Sequence, residues 1–196
     1  MKQLRNNRNA VIVLHEIYGV NSFMEEVCTE YLTMGFDVFC PDMLGQTCFS
    51  YSEASEAYQY FINEVGFDSY REIVQLIETR KFTYDKVFVI GFSVGATIAW
   101  RCCEGLKCDG IICCYGSRIR DYLQLEPCCP VQLLFAEQDS FDVDSVMMKL
   151  RKKSNVELHK LKASHGFMDQ YSTHFNLEQT QISKALIRAF LLKHTS

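Results

Sequence analysis

Short apolar runs alternate along this chain with stretches in which apolar residues recur every three to four positions. Ala10-Val11-Ile12-Val13-Leu14 is a run of the first kind and predicts a strand buried on both faces. From Ser22 to Met34 the apolar positions Phe23, Val27, Tyr31 and Met34 share one helical face. Ser22 with Glu25 has the form of a capping box there, and Gly35 supplies the stop. Asp37-Val38-Phe39-Cys40 predicts a second strand, closed by Pro41. Two helical patterns follow, over about 53–65 and 70–80. The second is opened by Ser69 with Glu72 and carries Tyr70, Ile73, Val74 and Ile77 on one face. Strands are predicted at 86–90, 110–115 and 131–136, a helix at about 94–104, and a loop with Pro127 and Pro130 before the last of these strands. A helix at 142–152, a strand at 156–161 and a helix at 178–193 complete the pattern.

Strands that alternate with helices imply the α/β class: a three-layer α/β/α sandwich with a mostly parallel sheet. No linker, repeat or low-complexity stretch interrupts the pattern, so residues 1–196 are expected to form a single domain. Ligands of such sheets bind outside the carboxyl ends of the strands. That rule directs the search for chemistry to the loops after Leu14, Cys40, Ile90, Tyr115, Ala136 and Leu161.

Gly91-Phe92-Ser93-Val94-Gly95 occupies one of these places, after an apolar strand and at the start of a helix. A nucleophile elbow requires that context: the glycines permit a sharp turn, and the serine projects above the sheet edge. The Val94 N–H, at the helix start, would face the same point. The competing reading is an ordinary glycine-rich strand–helix turn. A serine nucleophile needs a base, and the base needs an orienting acid. Of the five histidines, His165 follows the strand at 156–161, in Ala163-Ser164-His165-Gly166-Phe167. His15 precedes the serine, His159 lies within a strand, and His174 and His194 lie beyond these loops; structural or solvated roles are expected for all four. Asp139 stands after the strand at 131–136 and completes the order Ser93, Asp139, His165. Asp142 and Asp144 are rivals better explained as helix-start residues, and Glu137 is a further alternative. The loop after the first strand supplies the second oxyanion donor, with the Ile17 N–H as candidate beside that of Val94.

Composition narrows the field. Hydrophobic residues make up 48% and charged residues 22%, and 20 basic against 24 acidic residues give a net charge of −4. So mild and mixed a balance points to neither nucleic acid nor a membrane surface. The basic cluster Arg151-Lys152-Lys153 falls where a helix is expected to end, which the helix dipole explains. The segment Met1 to Asn9 is polar and basic, and the apolar run after it is too short for a signal core or a membrane span. A cytoplasmic location is expected. Ten cysteines include the vicinal pairs Cys102-Cys103, Cys113-Cys114 and Cys128-Cys129 but no C-x-x-C. They read as reduced, mostly buried small hydrophobes, with a zinc site from Cys103, Cys108 and Cys113 as the alternative. No cofactor and no metal are expected.

These residues resemble the dienelactone hydrolase family. The resemblance rests on His15-Glu16-Ile17-Tyr18-Gly19-Val20-Asn21, on Pro41-Asp42-Met43-Leu44-Gly45, on the Ser93 elbow, on Asp139 after its strand and on Ser164-His165-Gly166-Phe167, which span most of the chain in the family's order. It implies a compact α/β-hydrolase without a separate lid domain, a metal-independent triad and a glutamate, here Glu16, that reaches into the site. Best-known relatives carry a cysteine where this chain has Ser93, so the glutamate's control of a thiol does not transfer unchanged. Arginines that hold a substrate carboxylate in dienelactone hydrolases are also missing. Residues 46–67 contain no Arg or Lys, and His165 is followed by Gly-Phe-Met-Asp. Arg118 and Arg120, in the loop after Tyr115-Gly116, are candidates to replace them or are solvated surface residues. Phe49 and Tyr51 are candidates for an apolar pocket. Glu16, Tyr18 and Arg118 are thus the expected substrate-binding or supporting residues.

The expectation is a serine hydrolase that cleaves a small-molecule carboxylic ester or lactone through an acyl-enzyme. Alternatives are a thioesterase or peptidase on the same triad, a non-catalytic binding protein of the same fold, and a redox or metal protein built on the cysteines.

Overall fold

In a computed structural model, residues 8–45, 48–105 and 108–195 are described. Six strands, β1 (Asn9–Leu14), β2 (Asp37–Phe39), β3 (Lys86–Phe92), β4 (Gly110–Cys114), β5 (Val131–Gln138) and β6 (Val156–Ser164), form one sheet in the order β2-β1-β3-β4-β5-β6. Every pairing is parallel. Parallel neighbours need crossovers, and helices on both faces keep water from the sheet. That is why β1, β3 and β4 read as continuous apolar runs rather than alternating ones: all but their first residues in β1 and β3, and all of β4, are buried.

Alternate strand residues feed two cores. Ala10, Ile12, Leu14, Val87 and Val89 pack with helices α2 (Ala54–Tyr60), α3 (Tyr70–Lys81), α4 (Val94–Arg101) and α5 (Val143–Leu150). Val11, Val13, Phe88, Ile90 and Phe92 pack with α1 (Ser22–Thr33) and α6 (Leu177–Thr195) on the opposite face. The result is the α/β/α sandwich that the pattern predicts.

Several local expectations need correction. α1 is capped by Asn21, whose side chain accepts the Met24 N–H, and not by a Ser22 box. Asn and Ser compete closely for this position, and Asn21 also donates to the Tyr51 hydroxyl at 3.1 Å, which favours it. Ser69 makes no cap bond for α3; it sits in a 3₁₀ turn (Phe67–Ser69) and donates to the Gly66 carbonyl at 2.8 Å. The helix expected over 53–65 is three joined pieces: a 3₁₀ turn (Tyr51–Glu53), α2, and a π-helical turn (Phe61–Val65) that ends at Gly66 with φ 65°. β3, β5 and β6 each run two or three residues beyond the predicted strands, because backbone pairing continues there, Gly91 and Phe92 against Cys113 and Cys114, and Gln138 against Ser164.

Strand order reverses between β1 and β3. From β1 the chain winds outward to β2; from β3 it winds the other way, to β4, β5 and β6. Loops leaving β1 and β3 therefore diverge and open a crevice at their carboxyl ends.

Candidate active site

Ser93 stands in that crevice at φ 52° and ψ −112°, a backbone conformation that L-residues rarely adopt. Both elbow glycines are dictated by contact. A Cβ on Gly91 would lie 2.2 Å from the Gly95 carbonyl oxygen, and one on Gly95 would lie 2.5 Å from the carbonyl oxygens of Leu14 and His15. The elbow is thus pressed directly on the end of β1, and that contact brings the loop after β1 to the serine. The Ser93 N–H donates to the Cys114 carbonyl at 3.0 Å, which ties the turn to β4 as well.

Ser93 Oγ is 2.9 Å from His165 Nε2, and His165 Nδ1 is 2.7 Å from Asp139 Oδ2. The Asp139 side chain is 3% exposed and the His165 side chain 33%, so the acid is sealed while the base meets the cavity. Asp139 Oδ1 accepts the Ser140 N–H at 2.6 Å and its hydroxyl at 3.2 Å, which fixes the carboxylate. Burial alone would depress the imidazole pKa. The Asp139 hydrogen bond and charge, with a contribution from Glu16, outweigh it and raise His165 above its ordinary 6.5. His165, Asp139 and Ser93 are brought together as the sequence led one to expect. Asp142 instead caps α5 by accepting the Ser145 N–H, and Asp144 binds Lys160.

A cavity of about 520 Å³ opens on these three residues and is also lined by Ile17, Val94, Tyr58, Ser117, Arg118, Gln138, Ser140, Ser164 and His174. Val94 is the first residue of α4, where an N–H has no partner within the helix. Ile17 and Val94 both line the cavity with Ser93.

Glu16 is buried and does not line the cavity. Its Oε1 is buried without a hydrogen-bond partner, beside the Tyr115 phenol, and burial raises its pKa to about 7 against an attraction to His165. Tyr18 does not line the cavity; its ring rests on Tyr51 at 4.7 Å between centroids. Tyr51 and Phe49 are likewise elsewhere, contrary to expectation. The Tyr51 hydroxyl donates to the buried Asp169 at 2.5 Å, and Phe49 packs on Tyr60. Arg118 is in the wall, with Nε 3.2 Å from Asp121, whereas Arg120 turns to the Ser117 carbonyl and the Phe141 ring.

His15 is fully buried and neutral in role: Nδ1 donates to the Glu16 carbonyl at 2.6 Å, and Nε2 accepts the Met43 N–H at 2.9 Å. It braces the loop after β1 against the one after β2. His159 pairs with Glu157, and His194 packs on Phe190. His174 belongs to the cavity, contrary to expectation. The chain between β6 and α6 folds back, with the Asn176 N–H on the Phe167 carbonyl, and returns His174 to the site. Tyr58 and Tyr115 also escape sequence reasoning. Tyr115, at φ 44°, meets the His165 ring in a T-shaped contact with centroids 5.2 Å apart, and only its place at the end of β4 points to it.

Six of the ten cysteines are buried, and all ten are free thiols. Among the described residues no group of three or more His, Cys, Asp or Glu could hold a metal ion, and Cys108 Sγ instead meets Cys129 Sγ at 3.7 Å. Among the described residues no helix is long and apolar enough to cross a membrane.

A sequence model of the dienelactone hydrolase family matches residues 2–192. The chain is 41% identical over 170 residues to the uncharacterized protein YczH of Bacillus subtilis (strain 168), covering 85% of this chain and 84% of that protein. Carboxymethylenebutenolidase 1 of Cupriavidus pinatubonensis is 22% identical over 191 residues, covering 89% of this chain and 82% of that enzyme. Among solved structures, the dienelactone hydrolase-like promiscuous phosphotriesterase P91, from metagenomic libraries, superposes with a TM-score of 0.77 at 20% identity over 95% of this chain and 87% of that one. At that identity the likeness is one of fold.

Proposed function

This chain belongs to the dienelactone hydrolase family, and we propose that it hydrolyses a small carboxylic ester or lactone with Ser93 as nucleophile, His165 as general base and acid, and Asp139 as the orienting acid. One observation carries this reading: an unbroken relay from Asp139 Oδ2 to His165 to Ser93 Oγ, at 2.7 and 2.9 Å, ends on a strained serine at a cavity. Nδ1 must carry the proton that Asp139 accepts, which leaves Nε2 as the base facing the hydroxyl. Ser93 Oγ adds to the carbonyl carbon as its proton passes to His165. The N–H groups of Ile17 and Val94 receive the oxyanion. His165 returns the proton to the leaving oxygen, the C–O bond breaks, and water repeats the cycle on the acyl-enzyme.

Glu16 supports the base in this scheme. Ionised, it favours the imidazolium through space, in the same sense as Asp139. Tyr18 is assigned a supporting role through Tyr51, and Arg118 a place in the wall of the binding cavity. Release of p-nitrophenol from p-nitrophenyl acetate tests the scheme. The wild type should show a burst of one equivalent as the acyl-enzyme forms, and Ser93→Ala should lose at least about a thousandfold in kcat. Turnover that survives Ser93→Ala would contradict it.

A further inference from the structure

The lining of the cavity is chemically lopsided. Ile17, Val94 and Tyr58 line one part of it, while Ser117, Arg118, Gln138, Ser140, Ser164 and His174 come from the ends of β4, β5 and β6 and the loops after them, on the far side of β3 from β1. Three of the residues on that polar surface have their protons committed. The Ser140 hydroxyl donates to Asp139 Oδ1 at 3.2 Å, and the Ser164 hydroxyl to Gln138 Oε1 at 3.1 Å. His174 Nδ1 meets the His165 carbonyl at 2.9 Å. A carbonyl only accepts, so Nδ1 must carry the hydrogen, and Nε2 of the neutral ring is left as a bare acceptor.

Three lining residues therefore have acceptor capacity to spare: Ser140, Ser164 and His174. Donors stand beside them: the hydroxyls of Ser117 and Tyr58, the Gln138 amide nitrogen, and the Arg118 guanidinium, which already leans on Asp121 at 3.2 Å. A substrate carboxylate brings acceptors alone and would face three more. An ammonium group would face Arg118. An uncharged hydroxyl both donates and accepts, and so suits the mixture.

Position follows from mechanism. His165 Nε2 must reach the leaving oxygen to protonate it, so the alcohol portion of an ester lies beside His165. Ser164 precedes that residue, and His174 touches its carbonyl. We infer that the substrate is an ester whose leaving alcohol carries uncharged hydroxyl groups, and that His174 Nε2 is the specificity residue that accepts from one of them. The inference rests on the hydrolase reading above. The bonds exchanged are the same: the Ser93 Oγ–acyl bond forms, the ester C–O bond breaks, and the serine proton leaves on the polyol.

Three acetate esters of matched size test it: 2,3-dihydroxypropyl acetate, propyl acetate and 3-acetoxypropanoate, each followed by acid release with the wild type, His174→Leu and His174→Gln. The wild type should favour the dihydroxypropyl ester over the propyl ester by about tenfold in kcat/KM, the discrimination expected from one or two hydrogen bonds, and should use the carboxylate ester least. His174→Leu should collapse that ratio chiefly through KM. His174→Gln, whose amide oxygen can accept, should restore part of it. Loss of the brace on the His165 carbonyl would slow all three esters alike, so the ratio isolates recognition. Equal use of the dihydroxypropyl and propyl esters, preference for the carboxylate ester, or a ratio unchanged in His174→Leu would overturn the inference. Failure of the hydrolase reading looks different: no ester is cleaved, and Ser93 resists a fluorophosphonate.

Discussion

His165 is held between two carboxyl groups of unlike standing. Asp139 touches Nδ1 and is sealed from water, whereas Glu16 acts through space from a fully buried position. Both favour the charged ring and lift its pKa over the opposing effect of burial. Activity should therefore rise with pH along a limb centred above 6.5, as His165 loses its proton and becomes a base. Asp139→Asn should move that limb down and cost about a thousandfold or more in kcat, since the wrong tautomer then faces the serine. Glu16→Gln should move it down by less and alter kcat while leaving the fold intact. An unshifted limb and unchanged kcat in that variant would refute the assigned role. Glu16 also has a cost in stability. Its folded pKa of about 7 exceeds the ordinary 4.5, so folding favours the protonated form. That contribution is complete below pH 4.5 and lost as pH rises through 7, about 3 kcal/mol in all. Urea unfolding at pH 5 and pH 8 should show Glu16→Gln gaining on the wild type by an amount of that order. Parallel pH dependences would contradict it.

At the scale of elements, the elbow works because β3, α4 and the end of β1 share one crowded contact. Gly95→Ala places a methyl 2.5 Å from the carbonyl oxygens of Leu14 and His15, and that backbone cannot yield without moving the loop that carries Ile17. Stability should fall by about 1–3 kcal/mol, and kcat should fall further than that loss explains; wild-type kcat with a lowered melting point would show that the contact does not position the site. Trp100, on α4, is fully buried and donates to the Tyr122 carbonyl at 2.9 Å. Trp100→Ala should cost about 3–5 kcal/mol, read from urea unfolding. The strands were legible from sequence because parallel strands covered on both faces must be apolar throughout. So was the Ser93, Asp139, His165 order, since each residue follows its own strand. Caps were less so: Ser22 and Asn21 are both good acceptors, and only Tyr51, thirty residues away, decides between them. Aromatic spacing over 46–67 likewise does not say which ring faces the cavity. Tyr58 does, while Tyr51 is drawn off by Asp169. His174 is not legible in the sequence, because it lies well past the end of its strand and a loop that doubles back carries no periodic signal.

For the whole molecule, strand order explains why one crevice collects every part of the site. The reversal between β1 and β3 parts two loops; β5 and β6, lying farther along the same sheet, bring Asp139 and His165 to that opening. A family match spanning nearly the whole chain and a sheet with helices on both faces fit a hydrolase. The central claim is that Ser93 is the nucleophile. Intact-mass analysis after treatment with a fluorophosphonate tests it most directly. One adduct per chain, mapped to the peptide containing Ser93 and absent from Ser93→Ala, is the result predicted; a wild-type chain that takes up no adduct, or one that maps elsewhere, would contradict it.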